Sequence, residues 1–120
     1  MKFFIVLVIS LALFGFSNAY SYTPIQWDPE NEQLVDILNY GVNKAVSDAI
    51  AEEKIADGQW NWINVIRVEV EMIDDECGSN FEFIVEIEND IGDTANLAVI
   101  VFLSSDETNE KLANYAIFSM

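Results

Sequence analysis

The residue types best suited to chemistry are concentrated in one short segment. Asp74, Asp75 and Glu76 follow one another and precede Cys77, the only cysteine of the chain, and Gly78. Carboxylates bind calcium or basic groups, although adjacent acids lack the alternate spacing of a dedicated calcium loop. A single cysteine forms no intrachain disulfide, and its thiol could link two chains into a dimer. An ordinary hydrophilic turn with Gly78 at positive φ explains the same residues.

The composition argues against catalysis. The chain contains no histidine, which removes the commonest general base and the usual activator of Ser or Cys nucleophiles. Acidic residues are so numerous that two carboxylates are expected to lie close together by chance, and such a pair is therefore no evidence for hydrolase activity. The sequence therefore predicts a protein that is not an enzyme, with no catalytic residue, no metal site and no cofactor.

The charge balance restricts the possible partners. The chain carries 21 acidic and 5 basic residues and a formal net charge of −16. Nucleic acid binding needs Lys and Arg for the phosphates, so this composition excludes nucleic acid as a partner. A basic protein, a basic peptide or a divalent cation is favoured electrostatically. A secreted protein with a solvated acidic surface would show the same balance without any partner.

The first 19 residues have the pattern of a secretory signal peptide. Lys2 precedes an apolar run over residues 3–16, and Ser17 and Ala19 supply small residues at the −3 and −1 positions. We expect cleavage after Ala19, which leaves residues 20–120 as a single secreted, extracellular domain. The apolar run is too short for a membrane-spanning helix, and no second run approaches that length.

Two alternating segments, residues 62–73 and 80–88, flank the acidic residues and predict a β-hairpin. The register that keeps one face apolar pairs Met72 with Phe81, Val70 with Phe83, Val68 with Val85 and Ile66 with Ile87. The opposite face, called the acidic face below, carries Glu69, Glu71, Glu82, Glu86 and Glu88, with Arg67 opposite Glu86 and Glu71 opposite Glu82. Both segments agree on which face is inside.

A long amphipathic helix is predicted before the hairpin. Asp28 is a suitable N-cap, and helical spacing of apolar residues extends over residues 29–56, with Gly58 as the expected stop. Gly41 and several alanines give the apolar stripe a shallow profile, which suits a helix lying close across a sheet. Looser last turns are expected near residues 51–54, and residues 19–26 are expected to form a flexible arm.

Two more strands follow the hairpin, at residues 97–103 and 112–120. The first is apolar on both faces and is expected to be central. The turn between them is polar, and its Asp106, Thr108 and Glu110 form a second, weaker calcium pattern. The sequence therefore predicts an α+β fold, with one long N-terminal helix packed across a four-stranded antiparallel sheet.

Several of these residues resemble the cystatins, inhibitors of papain-like cysteine proteases. After the closing glycine, Gly78, the family's hairpin continues x-Asn-Tyr/Phe-x-Leu/Phe-x-Val-Glu, which matches the residues Asn80, Phe81, Phe83, Val85 and Glu86. The segment L-N-Y-G-V-N-K at residues 38–44 is similar to the family's helix pattern, with a shorter spacer. The resemblance covers most of residues 20–120 and implies a cystatin/monellin-like fold.

The resemblance also implies two protease-contacting hairpins, and both differ from the family. The first would be Asp74, Asp75, Glu76, Cys77 and Gly78, with Asp74 where the family has Gln and Glu76 where it has Val. The second would be Leu103, Ser104 and Ser105, which lacks the family's Pro-Trp pair, and residues 19–39 lack the family's N-terminal glycine. Two functions stay open: an inhibitor of papain-like proteases with an altered hairpin, or a non-inhibitory acidic binding protein for a basic peptide, protein or cation.

Overall fold

The computed structural model describes residues 22–73 and 78–118. The predicted signal peptide, residues 1–19, lies outside this part, and so do Asp74, Asp75, Glu76 and Cys77. The elements are β1 (Thr23–Pro24), α1 (Glu32–Ala51), β2 (Trp60–Ile73), β3 (Gly78–Asn89), β4 (Thr94–Ser104) and β5 (Glu110–Phe118). The five strands form one antiparallel sheet in chain order, and α1 packs across it.

The predicted α+β class is confirmed, but the predicted count of four strands is wrong. The additional strand, β1, lies in the segment expected to be a flexible arm. Thr23 pairs with Val70 and Pro24 with Glu69, and the amide of Ile25 donates to the carbonyl of Val68 at 3.0 Å. Proline is tolerated in this position because β1 is at the edge of the sheet, where one side of the strand needs no donor.

The helix is shorter than predicted at both ends. Its N-cap is Asn31, whose side chain accepts from the amide of Leu34 at 3.1 Å, whereas Asp28 closes the preceding turn. The helix ends at Ala51 instead of continuing towards Gly58, because Glu53 adopts a positive φ of 61° and reverses the chain. The break or loosening of the helix expected near residues 51–54 corresponds to this end of the helix at Ala51.

The close approach of helix and sheet centres on Gly41. The helix buries an apolar stripe against the inner side chains of β3 and β4. A Cβ atom at Gly41 would lie 2.5 Å from Cγ2 of Val101, which is fully buried in β4. Only glycine therefore allows the helix to lie this near the sheet, as the shallow stripe predicted.

The predicted register between β2 and β3 is wrong by two residues. Val70 faces Phe81 and Val68 faces Phe83, so Met72 lies opposite Ser79 and is 72% exposed instead of inward. Glu69, not Glu71, stands opposite Glu82, and Arg67 stands opposite Ile84, not Glu86.

Two register irregularities in β2, between Trp62 and Asn64 and between Val65 and Arg67, change which side chains face the helix. As a result Val65 packs against the main core. Ile66, predicted to face inward, packs instead on the far face of the sheet against Ile84 and Ala98.

The predicted central position of β4 is confirmed, since it lies between β3 and β5. Leu97, Val99 and Val101 face the helix, while Ala98 belongs to a second, smaller cluster on the opposite face. In the described ranges, no helix is both long and apolar enough to cross a membrane.

Candidate functional site

Three segments of the chain meet at one end of the sheet, called the hairpin end below. Ile73 pairs with Gly78, and Gly78 also pairs with Ser104, so the end of β2, the start of β3 and the end of β4 are neighbours. Because β1 runs antiparallel to β2 with Thr23 at Val70, Tyr22 precedes it on the side of this same end. The structure thus brings together the strand ends that flank the first predicted hairpin, the second predicted hairpin and the N-terminal segment, while Asp74, Asp75, Glu76 and Cys77 lie outside the described residues.

Gly78 is needed at the hairpin end for space. It is the first residue of β3 and is buried. A Cβ at Gly78 would lie 2.6 Å from both the carbonyl oxygen of Leu103 and Cζ of Phe102. The described role of this glycine is to let β3 and β4 approach.

The second hairpin turn is held by its own side chains. Oδ1 of Asp106 accepts from Oγ of Ser104 at 2.6 Å, from the amide of Thr108 at 3.1 Å and from Oγ1 of Thr108 at 2.8 Å. These hydrogen bonds from Ser104 and Thr108 lower the pKa of the Asp106 carboxyl. Leu103 is buried beneath the turn, and Ser105 is exposed.

The second calcium pattern, Asp106, Thr108 and Glu110, gains no support from the geometry of its residues, and the first lies outside the described residues. Asp106 is engaged within its turn, and Glu110 is the first residue of β5, where its carbonyl oxygen accepts from the hydroxyl of Tyr40 at 3.2 Å. Within residues 22–73 and 78–118, no group of three His, Cys, Asp or Glu side chains is placed to hold a metal ion.

The acidic face is less open than its sequence suggests. Glu69 and Glu82 lie opposite each other and are buried, with 6% and 5% of their surface exposed. Arg67 donates from Nε to Oε2 of Glu69 at 2.9 Å and also from Nη2 to the same oxygen. Glu86 and Glu88, which pair with Asn64 and Asn61, are partly exposed. Only part of the face is therefore available to a partner.

Tyr22 is the residue of this region that the sequence did not single out. Its hydroxyl hydrogen-bonds to Glu71. Burial, followed by the charges of Glu71, Glu82 and Glu69, raises the pKa of Tyr22 well above its ordinary value. The sequence feature that could have indicated this residue is the order aromatic residue, Thr23, Pro24. Aromatic and β-branched residues favour strands, and proline in a strand is found at the edge of a sheet.

A cleft of about 470 Å³ lies at the other end of the sheet, bordered by Trp60, Ile117 and Phe118. Its volume falls in the range of small-molecule sites, about 300–1,000 Å³. Lys54, the cation at its rim, is 3.2 Å from the Glu52 carboxylate and lies over the ring of Tyr115. The cleft therefore combines apolar walls with the polar side chains of Asp93, Thr94 and Asn96, and its one lysine is already paired with Glu52.

No protein-family model, curated protein or solved structure matches the chain.

Proposed function

We propose that the protein is a secreted, cystatin-like protein that inhibits papain-like cysteine proteases through an altered inhibitory hairpin. The observation that carries the proposal is that Tyr22 before β1, the paired strand ends Ile73 and Gly78, and the turn after Ser104 lie at the same end of the sheet. A protein that blocks a narrow cleft needs several chain segments side by side on one rigid support, and this arrangement of strand ends supports that role.

The layout of the fold supports the same proposal. One helix packed across an antiparallel meander, with a first strand preceding the helix, is compatible with a cystatin/monellin-like fold. The match of Gly78, Asn80, Phe81, Phe83 and Val85 to the cystatin hairpin falls on β3, the strand that leads away from the hairpin end. The resemblance and the topology thus both indicate the hairpin end as the inhibitory site.

Charge restricts which protease would be bound. Asp74, Asp75 and Glu76 occupy the first hairpin in the sequence, and exposed Asp106 and Glu107 border the second. Placing several carboxylates in an apolar cleft is costly unless each meets a cation. The target is therefore a papain-like protease whose cleft carries Lys or Arg, and ordinary members of that class are inhibited weakly.

Inhibition of papain and of a cathepsin L-type enzyme, at low and at high salt, tests this proposal. We expect weak competitive inhibition by the wild-type chain and stronger inhibition by the variant Asp74→Gln/Glu76→Val, which restores the family's residues. The matched control Glu86→Gln/Glu88→Gln removes the same charge from the acidic face and should inhibit like the wild type. The proposal fails if neither wild type nor restored variant inhibits at tens of micromolar.

A second candidate function is non-inhibitory binding of a basic peptide, protein or cation by the acidic face. The observation that favours it is the placement of Glu71, Glu86 and Glu88 on one side of β2 and β3 with part of each side chain exposed. Binding to a Lys-rich peptide would then be lost in Glu86→Gln/Glu88→Gln, would weaken with salt, and would persist in Asp74→Gln/Glu76→Val. Protease inhibition, by contrast, would change in Asp74→Gln/Glu76→Val and would stay the same in Glu86→Gln/Glu88→Gln.

A further inference from the structure

The two edges of the sheet differ in how they are protected from pairing with another chain. Natural edge strands are protected by shortness, proline, charge or bulges. On one edge, β1 has two residues including Pro24, and β2 beyond it contains both irregularities. On the other edge, β5 has one irregularity, next to Asn114, and then pairs regularly with β4 as far as Phe118. Among the described residues, no strand pairs with the outer side of β5.

Beyond its first two residues, the second edge carries no charge. Glu110 and Lys111 begin β5, and every residue from Leu112 to Phe118 is uncharged. The adjacent strand β4 carries no charge along its whole length. The five glutamates of the acidic face all belong to β2 and β3. The acidic face thus lies on β2 and β3, away from β5, and we call β4 and β5 the neutral edge. Residues 60–66 of β2 are uncharged as well, but the two irregularities of β2 fall in and next to this stretch.

We propose that the neutral edge is a self-association surface, at which β5 pairs antiparallel with β5 of a second copy of this chain. A basic partner would be drawn to the carboxylates of the acidic face and not to an uncharged strand. A partner as acidic as the protein itself, with a net charge of −16, needs a contact without carboxylates. The second copy is therefore the partner whose charge fits this edge.

Antiparallel pairing suits two identical strands. A twofold axis makes the two sides of the contact equivalent, and opposed residues can exchange amide and carbonyl hydrogen bonds. The axis also places Glu110 and Lys111 of one copy at the opposite end of the contact from those of the other copy. Like charges of the two strands then do not face each other, and the uncharged residues from Leu112 to Phe118 form the centre.

The dimer should become stronger with salt. The contact itself is uncharged, but the remainder of each copy is acidic, so repulsion between the copies opposes association. Raising the salt from about 0.05 M to about 0.5 M shortens the screening length several-fold and reduces this repulsion. Sedimentation velocity over a concentration series, on protein purified after expression of the full chain, should show a monomer–dimer equilibrium that shifts to dimer with salt. A reducing agent present throughout excludes dimers linked through Cys77.

Charge added to the neutral edge should separate the copies. Ala113 and Asn114 are exposed, and Asp at position 114 retains the oxygen that accepts from the amide of Tyr115 at 2.9 Å. The variant Ala113→Asp/Asn114→Asp should raise the dimer dissociation constant at least about tenfold. The matched control Asn43→Asp/Ser47→Asp adds the same charge to the exposed side of α1 and should leave most of the association intact.

A measurement on the unaltered chain keeps the proposal testable if the variant folds poorly. Hydrogen exchange of amides within residues 112–118 should slow as protein concentration rises, while exchange in β2 stays constant. The proposal is overturned if the chain sediments as a monomer at every concentration and salt. It is also overturned if a dimer forms without added protection in β5, or if the variant with Asp at 113 and 114 dimerises like the control.

Discussion

Glu69 and Glu82 lie directly opposite each other on β2 and β3, and both carboxylate-bearing side chains are buried. Like charges at opposed positions destabilise an antiparallel pair. Arg67, two residues from Glu69 on the same strand, donates two hydrogen bonds to one carboxylate oxygen of Glu69. Tyr22 adds a hydroxyl that hydrogen-bonds to Glu71 beside them. A buried cluster of charges therefore lies on the part of the sheet to which β1 is attached.

Replacing Arg67 by leucine should destabilise the protein strongly. The substitution leaves Glu69, of whose side chain 8% is exposed, without its guanidinium partner. Breaking a buried ion pair by removing one partner costs about 3–5 kcal/mol. Urea unfolding followed by circular dichroism measures the change in the free energy of unfolding.

The double variant Arg67→Leu/Glu69→Leu provides the control for this prediction. Replacing a buried pair by apolar side chains of similar volume is often neutral, so the double variant should recover part of the loss, and the buried carboxylate of Glu82 opposite position 69 keeps the recovery incomplete. Lys54→Leu, which removes a cation from the exposed pair with Glu52, should leave stability unchanged. An Arg67→Leu protein as stable as the wild type would contradict the assigned role of the guanidinium.

Tyr22 should make stability depend on alkaline pH. Burial and the charges of Glu71, Glu82 and Glu69 raise its pKa above the ordinary 10.0. A group whose pKa is raised by folding contributes stability that is fully present below its unfolded pKa and is lost as the pH rises towards the folded pKa. The free energy of unfolding should therefore decline with pH above about 10.

The variant Tyr22→Phe tests this origin of the decline. Without the phenol, the free energy of unfolding should fall less steeply with pH in the range from about 10 to about 11.5. Glu71→Gln removes the first of the three charges and should make the slope intermediate. If the free energy of unfolding of Tyr22→Phe falls with pH as steeply as that of the wild type, groups other than Tyr22 cause the decline.

The helix and the strands of the core could be predicted because each repeats a simple pattern. Apolar residues recur with a period of two along residues 80–88 and with a period of 3.6 along residues 34–49, because one face of each element is buried. The register could not be predicted in the same way. A shift of two residues keeps every side chain on its face, so pairing Val70 with Phe81 or with Phe83 fits the periodicity equally well.

Tertiary contacts decide the features that the sequence did not reveal. The strand β1 has only two residues, which is too short for any alternation to be seen. The positions of Glu69 and Glu82 on the polar side of the pattern predicted exposed side chains, whereas Arg67 and Tyr22 cover this part of the sheet. The proximity of Gly78 to Ser104 follows from the order of β3 and β4 in the sheet, and it does not depend on the register of β2 with β3.

Gly41→Ala should destabilise the protein although alanine favours helices. In an exposed helix the change is favourable by about 1 kcal/mol. Here the new Cβ would lie 2.5 Å from Cγ2 of Val101, a buried side chain. Overpacking of a core costs about 1–3 kcal/mol, so the net effect in urea unfolding should be a loss. The control Ser47→Ala, on the exposed side of α1, should increase stability slightly.

Gly78→Ala should destabilise the hairpin end in particular. Glycine in a strand ordinarily costs about 0.5–1 kcal/mol relative to alanine, so the exchange alone would be favourable. The Cβ would instead lie 2.6 Å from the carbonyl oxygen of Leu103. That backbone atom cannot move unless the pairing of β3 with β4 opens beside Ser104.

The expected result for Gly78→Ala is a net loss of about 1–3 kcal/mol in the free energy of unfolding. Amide chemical shifts should change most around Leu103 and Ser104, while those of β2 near Trp60 stay constant. Ser105→Ala, at an exposed position in the neighbouring turn, is the control and should change neither measurement. If Gly78→Ala is as stable as the wild type, β3 and β4 have room for a side chain here, and the glycine shared with the cystatin hairpin is not required for packing in this chain.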